Sequence, residues 1–265
     1  MKTLWYLFII MFFSNAVYAD NRCFIMKGKN YNVEEGSCEL RASPDSTFNL
    51  ILALISHEYK IITSPDRPKW HYKTKYDDIF SIMKDSWRKD HNPSSWIKEN
   101  CVWYSQIIAQ GIGTSRLRKR VNALGYGSDD PSCSTQYLNK SKMPFWLPQH
   151  LTISPKEQML LLEKMLSYDI DFSEEDIDQT KNLLYIEDLE QNIKIYGLTG
   201  GDMALQYKET AETRPGWFIG WVETAGDNIP FVYYNDTTDL ADELFVEKTT
   251  AEGMKLIKQH LKPGV

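Results

Sequence analysis

The segment that most restricts how this chain folds is Leu50-Ile51-Leu52-Ala53-Leu54-Ile55. With its neighbours it forms an apolar stretch over Thr47–Ser56 with no polar face, which reads as a helix buried in the core rather than lying on it. The rest of the chain must supply the cover. Cys23–Lys27 and Tyr31–Glu35 read as a short hairpin turning at Gly28-Lys29-Asn30. Residues 60–95 are polar, aromatic and punctuated by proline, and read as an irregular excursion.

Helical periodicity follows over Ser95–Ile112 and Ser115–Leu124. Ser154-Pro155-Lys156-Glu157 opens a helix running to about Ser167, with proline in its first turn. Ser173-Glu174-Glu175-Asp176 opens another, its acids at the end the helix dipole favours. Beyond Gln191 the pattern turns to strands: Ile193–Leu198, Asp202–Tyr207, Trp217–Glu223 and Pro230–Tyr234, with turns at Gly200-Gly201 and Gly226-Asp227-Asn228. Thr249–Leu261 closes as an amphipathic helix with Met254, Ile257 and Leu261 on one face. Early and late strands around a helical middle predict an α+β fold, an antiparallel sheet flanked by helices.

The N-terminus reads as a secretory signal. Lys2 precedes the apolar run Leu4–Phe13, and Val17-Tyr18-Ala19 offers a small-residue cleavage site. That run is short for a membrane anchor, the alternative reading. The expected organisation is a signal peptide over residues 1–19 and a single domain over 20–265, secreted and not membrane-spanning after cleavage. The formal charge of −6, more negative once Lys2 is removed, argues against nonspecific nucleic-acid binding. The basic run Arg116–Arg120 reads as a solvated helix face. Cys23 and Cys38 flank the hairpin turn and could pair in an oxidising compartment; Cys101 and Cys133 could pair only if the fold joins them. Scattered histidines and the absence of Cys-x-x-Cys argue against a metal site, and nothing calls for a cofactor.

Four stretches then stand in order. They are Pro44-Asp45-Ser46-Thr47-Phe48-Asn49; Trp96-Ile97-Lys98-Glu99-Asn100-Cys101-Val102-Trp103-Tyr104-Ser105-Gln106; Tyr126-Gly127-Ser128 with Phe145-Trp146-Leu147 and Ile153-Ser154-Pro155-Lys156-Glu157-Gln158; and Tyr196-Gly197-Leu198-Thr199-Gly200 with Gly216-Trp217-Phe218-Ile219-Gly220-Trp221-Val222-Glu223. Together they resemble the class D serine β-lactamases, the oxacillinases, from about Cys23 to Leu261. The resemblance implies a β-lactamase/transpeptidase-like fold and a bacterial periplasmic location. It also implies a cleft for a β-lactam or peptidoglycan-like peptide; it identifies no protein partner.

By that resemblance Ser46 holds the nucleophile position, and Asn49 replaces the carboxylated lysine that serves as base. Asn100 replaces the serine that relays protons, and Leu198 replaces the lysine of Lys-Thr-Gly. Ser128 stands for an asparagine, and Leu244–Lys248 offers no clear match to a later arginine. Thr199, Gly200, Gly201, Trp146 and Tyr126 keep substrate-binding positions. The backbone N–H groups of Ser46 and Gly201 are the implied oxyanion donors. An amide cannot accept a proton near neutrality, so these changes imply little or no hydrolysis. Two other readings stay open: a working β-lactamase with an unusual base, Lys98 or Lys142 if the fold brings one in, and a ligand-binding or sensing module.

Overall fold

Cys23–Gly28 (β1) and Tyr31–Gly36 (β2) pair antiparallel across the Lys29-Asn30 turn, and a disulfide joins Cys23 to Cys38. The structure is a computed structural model that describes residues 21–76, 84–129, 151–189, 192–201, 213–239 and 242–261. The signal segment, Cys133, Lys142, Trp146 and the expected strand Asp202–Tyr207 lie outside the described residues.

A 3-10 turn at Asp45–Phe48 leads directly into Asn49–Glu58 (α1). Asn49 through His57 are all buried, as a helix without a polar face requires. Each of its buried leucines and isoleucines contributes about 1.5–3 kcal/mol of transfer free energy.

The periodic stretch expected over Ser95–Ile112 is two helices, Pro93–Glu99 (α2) and Val102–Ile112 (α3). Asn92 caps α2 reciprocally with Ser95, which moves its start upstream to Pro93. The break falls at Asn100, which adopts left-handed backbone at φ 51°. Asparagine is one of the few residues that accept this conformation readily, so a local choice divides an otherwise continuous periodicity.

Thr114–Ala123 (α4) follows. Ser128–Asp129 (β3) pairs with Leu151–Thr152 (β4). Pro155–Leu166 (α5) begins with a capping box between Ser154 and Glu157, and Glu174–Leu183 (α6) is capped by Ser173. Tyr185–Leu189 (β5), Ile193–Gly200 (β6), Arg214–Glu223 (β7) and Asn228–Thr237 (β8) precede the final helix, Phe245–Leu261 (α7).

Six strands make one antiparallel sheet in the order β2-β1-β8-β7-β6-β5. The pleat sends alternate residues of β7 to opposite faces. Trp217, Ile219 and Trp221 join the main core with α1, α3 and α5, while Phe218 and Val222 join a second core under α7. Ile257 is buried there, with Met254 and Leu261 packed beside it. On the other side α1 packs against α3, α4 and α6. The fold therefore holds the 3-10 turn ahead of α1 against β6, with α3 packed on α1.

Candidate functional site

Ser46 lies in the 3-10 turn at the mouth of α1, where the chain is fixed from three sides. Asp45 sits at φ 48°, Thr47 Oγ1 donates to the Pro44 carbonyl at 2.6 Å, and Trp217 Nε1 donates to the Ser43 carbonyl at 2.9 Å. Gly200 packs against this turn. A Cβ on Gly200 would come within 3.1 Å of the Pro44 carbonyl oxygen, so a larger residue there would push the turn and the strand end apart by a few tenths of an ångström.

Among the described residues the Ser46 hydroxyl meets a carboxyl group and no basic nitrogen. Ser46 Oγ donates to Asp45 Oδ1 at 3.1 Å, and the Ser46 backbone N–H donates to the same oxygen at 2.6 Å. The Ser46 N–H, expected to face a developing oxyanion, is thus occupied by the side chain before it.

Asn49 lies one turn further on, buried at the start of α1. Its Oδ1 accepts from Ser105 Oγ at 3.0 Å, and Ser105 Oγ in turn accepts from Trp96 Nε1 at 2.7 Å. This line ties α2, α3 and α1 together behind Ser46. Ser105 and Trp96 belong to the Trp-to-Gln stretch of the sequence; periodicity alone gives no sign that they hold residue 49.

Asn100, between α2 and α3, turns toward β6. Its Nδ2 donates to Thr199 Oγ1 at 2.9 Å and to the Thr199 carbonyl at 3.4 Å. Its Oδ1 is buried and has no hydrogen-bond partner among the described residues. Leu198 is buried in the main core, opposite Ile219 on β7. Lys98 is exposed on α2, and Cys101 is a buried free thiol whose pKa burial pushes up. Neither provides an activated base or nucleophile beside Ser46.

Tyr126 is buried, with burial also driving its phenol pKa upward. Gln158 Nε2 donates to both its hydroxyl at 3.2 Å and Thr47 Oγ1 at 2.9 Å, so α5 is pinned to the Ser46 turn. At the far end of β6, Gly201 takes φ 130°, and its carbonyl accepts from Arg214 Nε at 2.7 Å. Arg214 is fully buried, donates also to the Asp242 carbonyl at 2.6 Å and lies over the Phe245 ring. This cation escapes sequence reasoning because it precedes Pro215 at the start of a strand and belongs to no short motif. The role of Asp45 is also missed by sequence reasoning, and its place next to Ser46 is the one signal that points to it.

The structure thus gathers Ser46, Asn49, Asn100, Thr199, Gly200 and Gly201 around the junction of α1, α3 and β6. Among the described residues there is no cluster of three or more metal-ligating side chains, and no helix is long and apolar enough to cross a membrane.

A family model described as the penicillin binding protein transpeptidase domain matches residues 15–254. β-Lactamase OXA-9 of Klebsiella pneumoniae is 31% identical over 200 residues, 75% of this chain and 72% of that protein. Among solved structures, the class D β-lactamase OXA-427 superposes with a TM-score of 0.76 at 23% identity, covering 91% of this chain and 98% of that one. The C-terminal domain of the Bacillus licheniformis BlaR penicillin-receptor gives 0.73 at 23% identity, covering 92% of each.

Proposed function

The chain belongs to the penicillin-binding transpeptidase-domain family, within its class D β-lactamase members, and on that premise we propose that it keeps the ligand cleft while having lost efficient hydrolysis. One observation supports this above the others. Residue 49 is an amide whose oxygen is engaged by Ser105, and among the described residues the hydroxyl of Ser46 faces Asp45 and no basic nitrogen.

The chemistry follows from that arrangement. Acyl transfer to Ser46 needs its proton removed, and hydrolysis of the acyl-enzyme needs a water deprotonated. Asn49 can do neither. Asn100 has spent its donor on Thr199, so it does not replace a hydroxyl that passes protons between groups. The Ser46 N–H must leave Asp45 before it can stabilise an oxyanion. General acid–base assistance contributes about 10²–10⁴ in rate, and loss of a whole serine-activating unit about 10⁴–10⁶.

The ligands in this proposal are β-lactams or peptidoglycan-like peptides, met outside the cytoplasm after removal of residues 1–19. A disulfide between Cys23 and Cys38 is consistent with an oxidising compartment. Likeness to the BlaR penicillin-receptor domain favours one second reading, a module that forms an adduct without turning it over. Intact-protein mass spectrometry after exposure to a cephalosporin, beside a hydrolysis assay, tests both. No turnover is expected. A stable mass increase at Ser46 that Ser46→Ala abolishes selects the trap, and turnover near that of a competent class D enzyme overturns the proposal.

A further inference from the structure

At the end of the sheet far from Ser46, the face that packs under α5 changes character. Along that face β7 carries Trp217, Ile219 and Trp221, β8 carries Tyr234 and Val232, and β1 carries Cys23 and Ile25, all in the main core. The same alternation, continued, brings Glu223, Asn228 and Lys27 to that face. Three neighbouring strands thus turn polar together, with Glu223 opposite Asn228.

The last turn of α5 borders this polar floor. Lys27, Glu163, Leu166, Glu223, Asn228 and Pro230 line a cavity of about 800 Å³ there. Gly200, which packs on the Ser46 turn, lies opposite Trp217 near the start of β7, whereas Glu223 is the last residue of that strand. The rim of the cavity is fixed. Asp227 Oδ2 accepts from the Lys29 N–H at 2.7 Å, which ties the β1–β2 turn to the β7–β8 turn, and Thr224 Oγ1 accepts from the Asp227 N–H at 3.1 Å.

The charges of the cavity divide into two groups. Asp227 is engaged by the turn, and Glu223 has Lys194 Nζ at 3.8 Å. Lys27 on β1 and Glu163 on α5 are both half-buried, and neither forms an ion pair or a side-chain hydrogen bond among the described residues. Two opposite charges on separate elements therefore line one preformed cavity without pairing. A simple anion would suit Lys27 and be repelled by Glu163; a simple cation would meet the reverse. A ligand carrying both charges answers both, and Leu166 and Pro230 offer apolar surface to its carbon atoms.

We propose that this cavity is a second binding site, separate from Ser46, for a small zwitterion: a dipeptide with both ends free, its carboxylate at Lys27 and its ammonium at Glu163. The site stands whether or not the reading of the Ser46 junction does.

Calorimetry with glycyl-leucine, N-acetyl-glycyl-leucine and glycyl-leucine amide tests it. The free dipeptide should bind about tenfold more tightly than either blocked form, since each block removes one charge-assisted contact. Lys27→Met should abolish the advantage over the amide and leave the advantage over the acetylated form. Glu163→Gln should do the opposite. Neither side chain holds a contact among the described residues, so both variants should fold. Ser46→Ala should bind the free dipeptide as the parent does. The inference is overturned if the free dipeptide does not bind, if a blocked form binds as tightly, or if both cavity variants keep the parent's pattern. Loss of binding in Ser46→Ala would assign the dipeptide to the Ser46 junction and overturn it as well.

Discussion

Ser46 gives both its donors to one atom: its hydroxyl and its backbone N–H each bond Asp45 Oδ1, at 3.1 and 2.6 Å. The pair is buried at the mouth of a buried helix, so the bonds are shielded from competing water. The residue that would be the nucleophile is thereby part of a structural turn.

Asp45→Ala should therefore cost stability. Two buried donors lose their acceptor, which costs about 1–3 kcal/mol. Asp45→Asn retains an acceptor oxygen and should cost less. Urea denaturation of both variants checks the order; equal stability of Asp45→Ala and the parent would show that the contact holds nothing.

Restoring Asn49→Lys, Asn100→Ser and Leu198→Lys together should return measurable acylation of Ser46 by a penicillin, read by intact-protein mass spectrometry. The triple variant will be less stable than the parent, because Leu198 is buried and a lysine there loses hydration. A folded triple variant that never acylates would mean that the cleft itself has closed.

Much of this site could be read in the sequence because its parts lie in short ordered stretches. The buried character of α1, the caps at Ser154 and Ser173, and the late segments Ile193–Leu198, Trp217–Glu223 and Pro230–Tyr234 are local patterns, and local patterns survive without coordinates. What stayed hidden was contact between distant segments. Nothing in Ser95–Ile112 shows that Asn100 would break the helix to reach Thr199, nor that Ser105 would hold Asn49. Strand β5, mostly exposed at the sheet edge with the sequence Tyr-Ile-Glu-Asp-Leu, lacks the alternation by which a strand is recognised. The short β3–β4 pair is likewise too brief to leave a periodic trace.

Loss of the Cys23–Cys38 bridge should be felt globally. It closes a loop of 15 residues at the edge of the main sheet. A loop of that size contributes about 3 kcal/mol through the unfolded chain. The double variant Cys23→Ala, Cys38→Ala should show a loss of that order in urea, and the parent should show the same loss on reduction.

Acid should weaken the fold in two stages. Burial holds the His57 pKa below its ordinary value, opposed by the charge of Asp176. The unfolded chain therefore takes up a proton first as pH falls below about 6.5, and stability declines until the folded pKa is passed. Burial likewise depresses His91, adding to this stage. Burial alone would raise Asp176, but the Ser173 hydroxyl and the Lys60 ammonium outweigh it and hold its pKa down. Its contribution is present above the ordinary carboxylate range and is lost as pH falls through the lowered folded value. Denaturation at stepped pH should show both limbs, with His57→Gln flattening the upper one. An unchanged upper limb in that variant would contradict the assignment.

The most direct measurement is steady-state hydrolysis of a cephalosporin by purified residues 20–265, with Ser46→Ala as the blank. With an amide at position 49 and a carboxyl group at Ser46, turnover should fall at least about a thousandfold below a competent class D enzyme and should not exceed the blank. Turnover within about a thousandfold of such an enzyme, abolished by Ser46→Ala, would contradict the account.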